Sequence, residues 1–201
     1  MVHFTLFGIP VYIRPSFWVV LAIFGGALSI SSVEDLIYPA LFVIAGFIAI
    51  LSHEMGHALV GRRLGGGQQT IVLELFGGLT SSHGMQLTRG GRALMILAGP
   101  MMTLLLGIIS LWLTWNIVAP VMASHNLDFW DLAISPFTAA LISPKLYILS
   151  CLIMIGEWWT LLNLLPIYPL DGGQLIAQYI RSPRKVFMTG FITAILIGLL
   201  S

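Results

Sequence analysis

Two histidines four residues apart, with a glutamate beside the first, are the side chains of this sequence best suited to metal chemistry. They are His53, Glu54 and His57, within the stretch LSHEMGHALV. On an α-helix, residues four apart lie on one face, so both imidazoles can reach one ion. In zinc sites with the spacing H-E-x-x-H, the histidines bind the metal and the glutamate is the general base. The stretch therefore predicts a catalytic zinc centre with Glu54 as its base.

The motif lies at the end of an apolar run over residues 39–60, where ionisable side chains are unexpected. Hydrophobic residues make up 58% of the chain and charged residues 8%, against about 25% charged residues in soluble domains. This composition predicts an integral membrane protein in a lipid bilayer. Ionisable groups are costly inside a membrane and usually serve a function there. The net charge of +1 argues against a nucleic-acid partner.

A catalytic zinc ion usually has three protein ligands and one open position, so the chain must supply a third ligand. Counting 1.5 Å per residue, the two histidines lie about 21 to 27 Å into their apolar run, and Glu157 lies about 17 Å into its own. Asp171 follows a segment broken by prolines in the deeper half of the same membrane, which favours it as the third ligand. Glu157 stays open as an alternative. Other residues of suitable type are His3, His83, His125 and Glu74.

The elements that must position these residues are predicted from apolar stretches at 17–30, 39–60, 93–118, 146–165 and 186–200. A membrane-spanning helix needs about 20 apolar residues, so the first and last stretches are short. We predict a single transmembrane domain over residues 1–201, an all-α polytopic membrane protein with about five to six transmembrane helices. Its core helices are expected at about 39–64, 91–118 and 146–181, with a break at Pro166 and Pro169.

A β-prone run over residues 70–76, followed by Gly77 and Gly78, separates the second and third apolar stretches. It predicts a short membrane-associated β-hairpin or re-entrant loop over about residues 67–88. Such backbone is tolerated at membrane depth only where protein or water satisfies its polar groups. The N-terminal residues, interrupted by Gly8, Pro10 and Pro15, are expected to form short extended pieces.

The basic residues are distributed unequally between the two sides of the membrane. If each apolar stretch crosses the membrane once, Lys145 is the only basic residue of the sequence on one side, and the other basic residues lie on the opposite side. Because positive charge is enriched on cytoplasmic loops, the other side is predicted to be cytoplasmic. The N-terminus and the active site then lie toward the cytoplasm of a bacterial or archaeal plasma membrane. The residues on this side are Arg14, Arg62, Arg63, Arg89, Arg92, Arg181, Arg184 and Lys185.

Four segments of the chain resemble the site-2 protease family of intramembrane zinc metalloproteases, which are peptidases of the M50 type. The segments occur in the family's order, and the likeness covers most of the chain. Thr103 stands where many members carry asparagine, and the loop over residues 119–144 is too short for a PDZ domain. The resemblance is thus to a minimal form with neither PDZ nor CBS domain. The segments are HEMGHALVGRRLG at 53–65, ELFGGLT at 74–80, LAGPMMTLLLG at 97–107 and NLLPIYPLDGG at 163–173.

The resemblance implies that His53, His57 and Asp171 bind one catalytic zinc ion and that Glu54 is the catalytic base. It implies a metalloendopeptidase that hydrolyses a peptide bond within or near a transmembrane segment of a membrane-anchored protein substrate. Two alternatives remain. A membrane zinc protease with Glu157 as third ligand would act on soluble or lipidated substrates. A metal transporter would use the same ligands without catalysis, but it gives Glu54 no role.

The substrate cleft is the second site that the sequence predicts. The resemblance implies that Asn163 and Pro166 shape it, with Gly77 and Gly78 in the adjacent β-loop. A helical substrate must unwind to be cut, and each freed backbone group costs several kcal/mol in lipid unless it is paired. We therefore expect residues 71–76, or the piece after Gly78, to pair with an extended substrate. Asn163 either hydrogen-bonds the substrate or the oxyanion, or caps the broken helix.

Overall fold

The computed structural model of this chain describes residues 1–75, 77–84, 86–125, 128–180 and 182–200. Phe76 and Arg181 lie outside the described residues. In chain order the strands and helices are β1 (Val2–Leu6), β2 (Ile9–Ile13), α1 (Pro15–Phe24), α2 (Ile37–Gly65), β3 (Gln68–Glu74), β4 (Gly77–His83), α3 (Arg89–His125), α4 (Phe129–Ile134), α5 (Pro136–Ala140), α6 (Pro144–Leu164), α7 (Asp171–Ala177) and α8 (Pro183–Leu200).

Three long apolar helices, α2, α3 and α6, pack against one another and form the centre of the fold. Small residues let their backbones approach, as is usual between membrane helices. A Cβ atom added to Gly56 of α2 would lie 2.4 Å from the Ala98 carbonyl oxygen of α3. Thr103 of α3 is fully buried and hydrogen-bonds Thr160 of α6 at 2.7 Å. Thr103 therefore contributes to the contact between α3 and α6.

Within the described residues, three helical runs are long and apolar enough to cross a membrane, namely Glu34–Gly65, Arg89–Ala119 and Pro144–Leu164. The predicted total of five to six spans is not confirmed. The first apolar stretch forms only the 10-residue helix α1, which is about 15 Å long. The predicted core helix 146–181 is two helices, because Pro166 and Pro169 lie in the break between α6 and α7.

The predicted β-hairpin is confirmed as β3 and β4, which pair antiparallel from Gln68 opposite His83 to Glu74 opposite Gly77. The N-terminal extended pieces also join this sheet, so the all-α prediction was incomplete. Strands β1 and β2 form a second hairpin, and β2 runs parallel to β3 with Val11 opposite Ile71. The strand order is β1-β2-β3-β4. The fold is thus mostly helical with one four-stranded sheet.

One face of this sheet packs against the middle of α2. Val11 of β2 and Ile71 of β3 are fully buried in a cluster that includes Met55 and Ala58 of α2 and Phe17 of α1. Alternation along each strand supplies this apolar face, because successive side chains point to opposite sides of a sheet. The packing brings β4, the strand at one edge of the sheet, beside the histidine motif.

Candidate metal centre

Three side chains from distant parts of the sequence converge on one buried point. The Nε2 atoms of His53 and His57 are 3.1 Å apart, and Asp171 Oδ2 lies 3.0 Å and 3.3 Å from them. All three residues are buried. Ligand atoms bonded to a tetrahedral zinc ion at about 2.0 to 2.1 Å are about 3.3 Å apart. The observed triangle therefore fits three corners of a zinc site and leaves the fourth for water.

The hydrogen bonds around this triangle also suit a cation. His57 Nδ1 lies 2.8 Å from the Met95 carbonyl oxygen, and a carbonyl can only accept, so Nδ1 carries the proton. The lone pair of His57 then sits on Nε2 and faces the centre, as in metal-bound histidines. Among the described residues, the buried Asp171 Oδ2 has no hydrogen-bond partner outside the triangle and faces only the two histidine Nε2 atoms. A buried carboxylate oxygen needs a compensating partner, and a cation bound between these three atoms would supply one.

Local sequence explains how Asp171 arrives at this point. The chain turns after Leu164, passes a cis peptide bond before Pro169, and starts α7 at Asp171. Two glycines follow Asp171. A Cβ atom on Gly172 would lie 2.1 Å from the Leu164 carbonyl oxygen, and one on Gly173 would lie 2.4 Å from the backbone of the turn. Glycine at both positions lets the first turn of α7 pack directly on the end of α6.

The third long helix supplies the wall behind the triangle. A Cβ atom on Gly99 of α3 would lie 2.2 Å from His57 Nε2 and 2.9 Å from His53 Nε2. Any side chain at this position would occupy the space of the ligand atoms. Gly99, the first of the two glycines in the segment LAGPMMTLLLG, thus has a steric role beside the histidine pair.

Glu54 lies beside the triangle but is not one of its three ligands. Glu54 is 5% exposed, and β4 packs against its side chain. Thr80 Oγ1 donates to Glu54 Oε2 at 2.8 Å. A Cβ atom on Gly78 would lie 2.2 Å from Glu54 Cγ. A carboxylate next to the ligands, but not among them, has the position that a general base requires.

A cleft of about 750 Å³ opens onto these residues, and most of its remaining lining is apolar. Three of the four predicted cleft residues, Gly77, Gly78 and Asn163, line it, whereas Pro166 does not. The turn that Pro166 begins contributes Tyr168 and the residues that follow it. Asn163 Nδ2 donates to the Trp159 carbonyl oxygen at 2.9 Å, so this amide also bonds the last turn of its own helix.

The alternative third ligand does not reach the centre. Glu157 is exposed on α6 and does not belong to the cluster formed by the described residues. His83 is exposed at the end of β4 and does not line the cleft. The structure therefore favours Asp171 over Glu157.

Contacts of three other residues were not predicted from the sequence. Thr80 and Gly99 lie within the segments that carry the family resemblance, but neither residue type signals metal chemistry. Met95 acts through its backbone carbonyl, for which the sequence contains no signal at all.

Comparison with known proteins finds relatives that are named as zinc metalloproteases. Residues 41–200 match the model of the family described as Peptidase family M50. A zinc metalloprotease of Methanocaldococcus jannaschii is 27% identical over 98% of this chain and 53% of its own length. A protein of Synechocystis sp., also named as a zinc metalloprotease, is 29% identical over 88% of this chain and 43% of its own. The chain thus spans about half the length of these curated relatives, or less.

A solved structure is similar as well. The site-2 protease from Methanocaldococcus jannaschii superposes with a TM-score of 0.59 at 25% sequence identity. The match covers 87% of this chain and 69% of that protein. The two chains therefore share the arrangement of helices that carries the site.

Proposed function

The chain belongs to peptidase family M50, and on that premise we propose that it is an intramembrane zinc metalloprotease of the site-2 type. Its substrate is a membrane-anchored protein, and the bond it hydrolyses lies within or near a transmembrane segment of that protein. The observation that carries this proposal is the buried triangle of His53, His57 and Asp171 with Glu54 beside it, at the end of an open cleft.

The residues present fit a zinc ion, and His53, His57 and Asp171 would hold it. When bound, zinc polarises the scissile carbonyl and acidifies the attacking water. Glu54 accepts a proton from that water and delivers it to the leaving amide nitrogen, the role of a general base that then acts as an acid. His53, Glu54, His57 and Asp171 are themselves buried, and electrostatic interactions are stronger there than in bulk water.

The substrate pairs with β4. Of the two segments considered, β3 is already paired with β2 on one side and with β4 on the other. Strand β4 is at the edge of the sheet, and its residues Gly77 to Thr80 line the cleft. An unwound substrate segment added to this edge would satisfy its freed backbone groups next to Glu54.

The sheet and the active site lie toward the cytoplasm. His57 is eight residues before the end of α2 at Gly65, which is about 12 Å of helix. Arg62 and Arg63 lie in the last turn of that helix, and Arg14 lies next to the sheet. We test this orientation with Thr5→Cys in a chain lacking Cys151. A membrane-impermeant thiol reagent should label it only after the cells are opened, and labelling of intact cells would contradict the proposed topology.

The function is tested by Glu54→Gln, with cleavage of a transmembrane substrate and zinc content measured on the same preparation. We expect zinc content to remain that of the wild type, because Glu54 is not a ligand. Cleavage should fall about 100- to 10,000-fold, the usual effect of losing a general acid-base group. Undiminished cleavage by Glu54→Gln, or wild-type protein that neither binds zinc nor cleaves, would exclude the proposal. Zinc transport that survives the substitution would favour a transporter.

A further inference from the structure

Within the described part of the chain, one side chain of the sheet donates a hydrogen bond to the Glu54 carboxylate. In the part of the chain that the structure describes, the hydrogen bond found for this carboxylate comes from Thr80 Oγ1, at 2.8 Å from Oε2. The same hydroxyl lies 3.1 Å from the main-chain carbonyl oxygen of Glu54. Buried polar groups are normally hydrogen-bonded, and charged ones need it most. Thr80 therefore contacts both the side chain and the backbone of the proposed base.

The strand that carries Thr80 touches Glu54 at a second point. Gly78 precedes Thr80 by two residues and so faces the same side of β4. A Cβ atom on Gly78 would lie 2.2 Å from Glu54 Cγ and 2.7 Å from Oε1. Between the Gly78 backbone and the Thr80 hydroxyl, β4 restricts the rotamers that Glu54 can adopt. The neighbouring Gly77 approaches Trp159 instead, with an added Cβ atom 2.6 Å from its ring.

We propose that Thr80 is a positioning residue, whose hydroxyl holds the Glu54 carboxylate in place for proton transfer and makes that placement depend on the alignment of β4. The inference rests on the proposed function and extends it. The substrate adds to the free edge of β4, and Thr80 extends from the face of the same strand to the base. The strand edge proposed to pair with the substrate and the hydroxyl that contacts the base therefore belong to one strand, which is already paired with β3 along its length.

If the Thr80 hydroxyl only stabilised the sheet, removing another hydroxyl that hydrogen-bonds within β4 would have the same effect on cleavage. Ser82 lies on the same face of β4, and its hydroxyl donates to the Gln69 side chain of β3 at 2.5 Å. Its loss removes a hydrogen bond within the sheet without touching Glu54. Ser82→Ala is therefore the matched control for loss of a hydroxyl from this strand.

The experiment compares Thr80→Val, Thr80→Ser and Ser82→Ala in the full-length, zinc-loaded protein. Zinc content, thermal midpoint, kcat and KM are measured with a transmembrane peptide substrate. Thr80→Val keeps the shape of threonine but lacks the donor, and we expect kcat to fall about 10- to 100-fold, the usual effect of losing a partner that orients an active-site group. Zinc content and KM should stay within about twofold of wild type. Thr80→Ser should restore kcat, and Ser82→Ala should match the wild type.

Several results would overturn the inference. These are a wild-type kcat in Thr80→Val, a Thr80→Ser variant as slow as Thr80→Val, or an equal loss in Ser82→Ala. Loss of zinc from Thr80→Val would also count against it, because it would indicate a disturbed metal centre. If Thr80→Val does not fold, Thr80→Ala against Thr80→Ser makes the same comparison. Failure of the proposed function itself is distinct, because the wild-type protein would then cleave nothing.

Discussion

Gly99→Ala tests whether the metal centre is as tightly enclosed as the structure indicates. The added methyl carbon would lie 2.2 Å from His57 Nε2, whereas ordinary contacts of a Cβ atom begin at 3.4 Å. The nitrogen would have to retreat by about 1 Å, and zinc sites tolerate deviations of only about 0.2 Å in ligand distance. The imidazole cannot simply rotate away, because its Nδ1 is hydrogen-bonded to the carbonyl oxygen of Met95, which lies one turn before Gly99 on α3.

We therefore expect Gly99→Ala to lower zinc affinity by at least about 100-fold, since loss of an outer-shell partner alone costs 10- to 100-fold. The measurement is zinc retained after dialysis against chelators of graded affinity. Gly107→Ala is the matched control, because a Cβ atom there, on the same helix, meets nothing within 4 Å. Both variants should fold when zinc is supplied in excess. Wild-type zinc affinity in Gly99→Ala would refute the steric reasoning and would show that α3 shifts to accommodate the methyl group.

Three further predictions concern the ligands, the metal and the sheet. Asp171→Asn should lose zinc and cleavage, whereas Glu157→Gln should keep both; zinc loss confined to Glu157→Gln would reverse the assignment of the third ligand. Removal of zinc with a chelator should lower the thermal midpoint, because free zinc at 100 times its dissociation constant stabilises the folded state by about 2.7 kcal/mol; a midpoint unchanged by zinc would mean that the site is empty under those conditions. Arg14→Ala should lower the free energy of unfolding by less than about 1 kcal/mol, because the ion pair of Arg14 with Glu74 is well exposed; a larger loss in chemical denaturation would show that this pair is essential for docking the N-terminal hairpin.

The three proposed metal ligands illustrate how much of the site local sequence predicts. His53 and His57 are on one helix, and helical periodicity alone places their side chains together. Asp171 is far away in sequence, and its approach depends on the turn after Leu164 and on the glycines that follow it. Counting residues along each apolar stretch predicted a similar depth for Asp171 and the histidines, but only the packing of α6 and α7 brings its oxygen within 3.3 Å of them.

The sheet shows which strand pairings local sequence does not predict. The β3–β4 hairpin was predictable because its strands are adjacent in sequence and separated by glycines. The parallel pairing of β2 with β3 joins residues on either side of α1 and α2, and no local pattern encodes such a partner. Ile9, Val11 and Ile13 alternate along β2 and are all buried. Because Gly8, Pro10 and Pro15 interrupt this short stretch, its alternation did not predict a strand of the sheet.

By itself, the sequence determined the membrane class, the histidine pair, the adjacent carboxylate and the break before Asp171, because composition and helical periodicity are local properties of the chain. The tertiary structure alone decided that Asp171 rather than Glu157 completes the triangle. It also decided that Gly99 leaves space beside the two imidazoles and that Thr80 hydrogen-bonds Glu54. Each of these depends on distances of 2 to 3 Å between segments far apart in sequence. Such distances are set by how the helices and the sheet pack together, which no single segment encodes.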